Sequence, residues 1–439
     1  MELQLNAHSL AAAEAATSGL ASLPLPLAHR IFLALPVVAR GRASCVCRGW
    51  RDILADPALW TRLDLRLASA TQLQGAARRA QGQLVALSTG TAQFDLTPDE
   101  VLPVLTANSG SLRELRVGWL RADLNFYLLQ LPGVLRAAPH LQVLDVRSMV
   151  CSGEEAPRVL RAEAPLRVQR LLAQFVHPHT LAARADNVVP FAAALADATA
   201  HPALSEVVVE GADVQQLAVM DALVDAVIAR PRLHKFEIGD VCTPPAPAPL
   251  ARLLRNGTLP SLSFDSLQRR HLYVQAPLFD AAGAMVVADA LRSNTTLTAL
   301  SFRRSGLLRD VAASATLLSA LVGHPSLTAL DICTDFTPDL DALGAALAAL
   351  VAADAPALLK LRLEDIGLDD NTFAPLVHAL AGNRHLRELD ISRNRLSAAF
   401  LRVKLLPAAQ CANEHRMFTV TGSKWLVADF AIAANRRGD

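Results

Sequence analysis

The stretch Leu386–Leu396, LRELDISRNRL, decides the fold. Leu386, Leu389 and Ile391 follow an L-x-x-L-x-L spacing, and Asn394 and Leu396 close the unit. The final pair, two residues apart, has the period of an extended strand, so one strand face is apolar and the alternate residues face the other way. The unit recurs upstream as Leu358, Leu361, Leu363, as Leu327, Leu330, Ile332, and as Leu297, Leu300, Phe302. Earlier copies start at Leu84, Leu112, Leu141, Val168, Leu204, Leu233 and Leu259, and Trp60, Leu63, Leu65 read as a truncated first copy. Helical patterns lie between them over Val214–Ala229, Asp280–Leu291, Val311–Leu321, Leu340–Ala352 and Thr372–Leu380. A short strand followed by a helix, repeated, predicts a parallel sheet with helices outside, linked by right-handed crossovers.

Successive copies start mostly 26 to 31 residues apart. With RELDISRNRL they resemble the leucine-rich repeat, in its longer, ribonuclease-inhibitor-like class. The resemblance implies an α/β fold: a right-handed horseshoe with parallel strands on the concave side and helices on the convex side. It spans residues 61–403, with about ten or eleven repeats. Residues 404–439, where the periodicity decays, read as a C-terminal cap, and residues 1–19 as a poorly ordered, Ala-rich lead. Val168–Leu204 and Leu259–Leu297 are stretched copies, and Cys242–Pro249, CTPPAPAP, is a Pro-rich interruption.

Residues 20–60 follow another pattern. Leu27, Ile31, Phe32 and Leu35 fall on one side of a helix, and Trp50, Ile53 and Leu54 repeat that period. Leu23-Pro24, Ile31-Phe32, Leu35-Pro36, Val46-Cys47-Arg48-Gly49-Trp50 and Asp56-Pro57-Ala58-Leu59-Trp60 together resemble the F-box, a small three-helix module. Pro26, Ala39 and Arg40 depart from that family's pattern. The resemblance implies docking onto the Skp-type adaptor of a cullin ubiquitin ligase. The residues it assigns to the adaptor are Leu23, Pro24, Leu27, Ile31, Phe32, Leu35, Pro36, Val46, Cys47 and Trp50. Trp60-Thr61-Arg62-Leu63 leaves no flexible linker before the first strand.

Composition narrows the function. Lys+Arg 42 against Asp+Glu 41 gives a net charge of +1, which favours neither nucleic acid nor an anionic membrane. The apolar run at Ala342–Ala353 is short of the roughly 20 residues a membrane span needs. The N-terminus reads as neither a secretory signal nor a transit peptide. The six cysteines form no CxxC pair, and the Cys45-x-Cys47 pair reads as small buried apolar residues on a helix. These features point to a reducing compartment, the cytoplasm or nucleus. His177 and His179 flank a proline without a third metal ligand, and Gly422-Ser423-Lys424 lacks the upstream glycine of a phosphate loop. Glu364, Asp365, Asp369 and Asp370 read as a solvated turn feeding a helix N-terminus. No enzyme, cofactor or metal is expected.

The strand residues between the leucines are the natural binding face. Asp64, Asp145, Asp331 and Asp390 recur in one slot and so read as framework. The non-repeating charges Arg116, Arg147, Glu210, Glu237, Arg303, Arg362 and Glu364 are the candidate substrate contacts. Their mixed signs suit a protein better than RNA. The expected protein is a substrate-recognition subunit of a Skp–cullin–F-box ligase, a monomer within that complex, serving ubiquitin-dependent degradation. The alternative is a leucine-rich-repeat scaffold with no ligase role.

Overall fold

The structure, a computed structural model, describes residues 23–64, 70–88, 97–116, 131–146, 167–175, 185–212, 214–239, 245–265, 278–303, 306–333, 340–411, 418–421 and 430–432. The expected lead at residues 1–19, Arg147, His177, His179 and Gly422–Lys424 lie outside them. The chain divides into two compact units. One comprises Met1–Met149, Arg158–Ala173 and Thr199–Ala203, and the other Val150–Pro157, Gln174–Ala198 and Leu204–Asp439.

The first unit opens with helices α1 (Leu25–Ala34), α2 (Val37–Ala43) and α3 (Arg48–Ile53), then a 3-10 turn at Pro57–Trp60. Pro26 sits in the first turn of α1, where a missing N–H removes no helical hydrogen bond. Strands and helices then alternate: β1 (Arg62–Asp64), α4 (Ala70–Ala80), β2 (Ala86–Ser88), α5 (Pro98–Asn108), β3 (Glu114–Arg116), α6 (Leu131–Arg136), β4 (Val143–Val146) and β5 (Arg170–Gln174). Adjacent strands pair in parallel, and the register aligns Leu63, Leu87, Leu115, Leu144 and Leu171 in one buried row.

The second unit continues with α7 (Ala185–Ala196), β6 (Glu206–Glu210), α8 (Leu217–Ile228), β7 (Lys235–Gly239), α9 (Pro247–Asn256), β8 (Ser261–Asp265), α10 (Ala281–Ser293) and β9 (Ala299–Arg303). After these come α11 (Val311–Leu321), β10 (Ala329–Cys333), α12 (Leu340–Ala352), β11 (Lys360–Glu364), α13 (Asp370–Gly382) and β12 (Glu388–Asp390). Beyond further short helical turns, β13 (Phe418–Thr421) pairs parallel to β12, and β14 (Phe430–Ile432) returns antiparallel. Val207, Phe236, Leu262, Leu300, Leu330, Leu361 and Leu389 share one row, and Val209, Ile238, Phe264, Phe302, Ile332 and Leu363 the next. Both rows are buried, and Phe264 stacks on Phe302 with ring centres 5.7 Å apart. The fold class is therefore α/β, with parallel strands alternating with helices after the N-terminal helices.

Side-chain amides tie one repeat to the next at the helix C-terminal ends. Asn383 Nδ2 donates to the Val351 carbonyl at 2.9 Å, and its Oδ1 accepts from the N–H of His385 and Leu386. Asn294 does the same with Leu254, Thr296 and Leu297. His324 takes this slot between them, its Nδ1 accepting from the Leu327 N–H at 3.2 Å. Each pairs backbone groups that would otherwise be buried without partners. The turn read at Glu364–Asp370 carries a cap: Asp369 accepts from the Asn371 and Thr372 N–H groups, and the Thr372 N–H and hydroxyl hold its carboxyl below the usual range. That cap starts α13 at Asp370, earlier than the apolar period predicts.

Candidate functional site

Two surfaces, one in each unit, gather the candidate residues. In the first unit, α1 divides its apolar residues between two sides. Ala28 and Phe32 are buried, whereas Leu27 is 45% and Ile31 41% exposed. Pro24 and Pro36 are also exposed, and Leu23 and Leu35 are half-buried. Val46, in the turn before α3, is 53% exposed. Exposed apolar residues gathered within so small a helical segment have the composition of an interaction surface. Leu25 and Leu33 are exposed as well, on the opposite flank of α1, outside the one-sided set of Leu27, Ile31, Phe32 and Leu35.

Phe32 is a correction to the adaptor set. Its ring is buried and meets Trp50 edge-on at 5.6 Å between centres, so it packs the module instead of facing outward. Trp50 is half-buried, and its indole N–H finds no acceptor among the described residues. The cysteines are corrected too. Cys45 is exposed, and the half-buried Cys47 caps α3, its sulfur accepting the Trp50 N–H at 3.4 Å. Neither is a buried core residue, because a cap belongs at a helix boundary.

Arg40 accounts for its departure from the F-box pattern. It is buried in α2, its Nε donates to the Leu35 carbonyl at 2.9 Å and its Nη1 to the Leu59 carbonyl, and it lies beside the Trp60 ring. Burial lowers its pKa, yet the two carbonyls match a charged donor fork. Arg40 thus clamps the turn between α1 and α2 to the 3-10 turn.

In the second unit, Arg303, Arg362 and Glu364 come together on the strand face opposite the leucines. Arg362 Nη2 lies 2.7 Å from Glu364 Oε2 and its Nε 3.0 Å from Asp390 Oδ2. Arg393 Nη1 reaches Glu364 Oε1 at 3.2 Å, and Arg303 lies 3.7 Å from Glu364 and 3.8 Å from Asp331. Burial alone would lower the Arg303 pKa, but Asp331, Asp265 and Glu364 outweigh it, and the value is raised. Burial likewise raises Asp331 against the pull of Arg303 and Arg362.

The other substrate candidates scatter. Arg116 is exposed on β3 in the first unit, Glu237 is half-buried and pairs with Lys235 at 2.9 Å, and Arg147 is not among the described residues. Glu210 is a correction: it is buried, and its side chain fills the space a Cβ on Gly239 would take. Glu364 is corrected as a direct contact, because its carboxylate is buried under the arginines it holds. Sequence reasoning missed Arg393, and it set Asp331 and Asp390 aside as framework although they belong to the same cluster. Among the described residues, no group of three His, Cys, Asp or Glu could hold a metal, and no helix is long and apolar enough to cross a membrane.

The N-terminal stretch now has a family. Residues 20–66 are an F-box-like domain. The match spans α1–α3, the 3-10 turn and β1, so the exposed Leu27, Ile31 and Val46 and the buried Phe32 and Arg40 all belong to the F-box-like domain. No curated protein matches the chain. Solved structures similar to it include a Bacteroides fragilis protein at 14% identity, covering 62% of this chain and 74% of that one, with a TM-score of 0.34. The complex of TLR13 with ssRNA13 is 15% identical over 77% of this chain and 45% of that one, with a TM-score of 0.35. The yeast complex of Rad7 and Elc1 is 13% identical over 90% and 94%, with a TM-score of 0.40.

Proposed function

We propose that this protein is the substrate-recognition subunit of a Skp–cullin–F-box ubiquitin ligase. The F-box-like domain docks the Skp-type adaptor, and the strand face of the repeats holds a protein substrate. Catalysis is positional: the chain brings substrate to a conjugating enzyme that supplies the chemistry, and effective concentration does the rest. No residue of the chain is catalytic in this reading, no cofactor is needed, and the complex works in the cytoplasm or nucleus.

The observation that carries the reading is the exposure of Leu27, Ile31 and Val46 inside the F-box-like domain. An apolar surface there is costly in water unless a partner covers it. The test is co-expression with a Skp-type adaptor and a cullin, followed by gel filtration. A complex containing all three supports the reading. A chain that elutes alone, with the adaptor and cullin elsewhere, sinks it.

A further inference from the structure

We propose that the β9–β12 face seats an acidic segment of a protein partner, whose carboxylates meet the guanidiniums of Arg303, Arg362 and Arg393. The cluster is layered. Its three carboxylates lie low, with side chains 8% (Glu364), 23% (Asp331) and 23% (Asp390) exposed. Its three guanidinium side chains stand above them at 36% (Arg303), 40% (Arg362) and 41% (Arg393). The charges balance in number, yet an approaching molecule meets cations first.

Glu364 organises this layer. Three guanidiniums converge on its one carboxylate, so each is held in place before a partner arrives. Arg393 joins from a left-handed backbone, φ 62°, a conformation usual for glycine and uncommon for arginine. A guanidinium carries five donors in a planar fork, and an edge turned to solvent suits a carboxylate in two-point contact. Charged neighbours on the same face are Asp265, beside Arg303, and the Lys360–Glu388 pair at 2.9 Å. A basic segment would find Asp331, Glu364 and Asp390 lying under arginines, and the exposed Glu388 already paired with Lys360. Single-stranded RNA would ask for stacking rings, and no strand-face position of β8–β12 carries an aromatic residue.

This inference deepens the receptor reading, on which it rests only for naming the bound segment a substrate. The test uses the full chain and three fluorescent probes: a glutamate-rich peptide, its glutamine counterpart and oligouridylate. The glutamate peptide is expected to bind at least about tenfold tighter than the glutamine one, with an affinity that falls as salt rises. Arg303→Gln should remove most of that preference. Arg393→Gly should reduce it too, and it removes the guanidinium while placing glycine where φ favours it. Arg252→Gln with Arg255→Gln, which removes two positive charges from helix α9 against one in each of those variants, should leave it unchanged. Equal binding of both peptides overturns the proposal, as does an equal loss in the α9 double variant or tighter binding of oligouridylate. Adaptor capture is a separate measurement, so its failure beside intact peptide selectivity removes the ligase role and leaves this site standing.

Discussion

The Arg79 guanidinium lies 4.8 Å from the centre of the Trp60 ring, which joins α4 of the first repeat to the end of the F-box-like helices. Trp60 is buried, and its indole N–H donates to the Leu54 carbonyl at 2.8 Å. Arg79 also donates to Ser44 Oγ at 3.3 Å. These contacts bridge Thr61 from both sides and should hold it without a hinge. Trp60→Ala should cost about 3–5 kcal/mol, and Arg79→Ala about 0.5–2 kcal/mol. Hydrogen exchange should show protection lost together in α1–α3 and in β1–β2 for Trp60→Ala. Loss confined to the helices would mean that the joint is not rigid.

Ile31 and Phe32 are neighbours with opposite fates, and mutation should separate them. Leu27→Asp with Ile31→Asp replaces exposed side chains and should leave the denaturation midpoint within about 0.5 kcal/mol of wild type, while adaptor capture is lost. Phe32→Ala empties a buried site against Trp50 and should cost about 3–5 kcal/mol. Normal adaptor capture by the Leu27/Ile31 variant would exclude that surface as the docking face.

The strand rows were the most legible part of the chain. Leucines two apart leave only one register that buries them, so the positions read from Leu361 and Leu363 are those found in β11. Val311–Leu321 and Leu340–Ala352 match their apolar periods end to end. The interaction surfaces were less legible. Helical period places Phe32 and Ile31 on one broad side, and only packing against Trp50 decides which turns inward. Composition gave no hint that Glu210 would fill the space beside a glycine one strand away. Arg393 escaped because its role depends on a left-handed turn, which a lone arginine does not announce. The framework aspartates were misjudged for a related reason: a residue can recur for structural cause and still border the site it supports.

His324 gives the repeats a pH dependence. It occupies the slot of Asn294 and Asn383, is buried, and accepts backbone N–H groups through Nδ1. Burial lowers its pKa below 6.5, with the Leu291 carbonyl opposing. The unfolded chain therefore takes up a proton more readily, and stability is lost as pH falls from about 6.5 toward the folded value. His324→Asn can keep the backbone contacts without titrating. Its denaturation midpoint should vary less between about pH 7.5 and 5.5, roughly one unit either side of the free value. Parallel curves for the two proteins would remove His324 as the source.

Gly344 and Gly382 face opposite consequences of one added methyl group. A Cβ on Gly344 in α12 would run into the Thr372 carbonyl oxygen, at the start of α13. Thr372 is fixed by its part in the Asp369 cap, so the carbonyl cannot retreat without breaking that cap. Gly344→Ala should therefore destabilise by about 1–3 kcal/mol, the cost of overpacking a close helix approach. A Cβ on Gly382, at the end of α13, meets nothing within 4 Å. Gly382→Ala should stabilise by about 0.4–1 kcal/mol, because it narrows the unfolded ensemble without a clash. Urea denaturation of both variants beside wild type checks the pair. A Gly344→Ala midpoint at or above wild type would show that α12 and α13 part freely and that glycine is not what lets them approach.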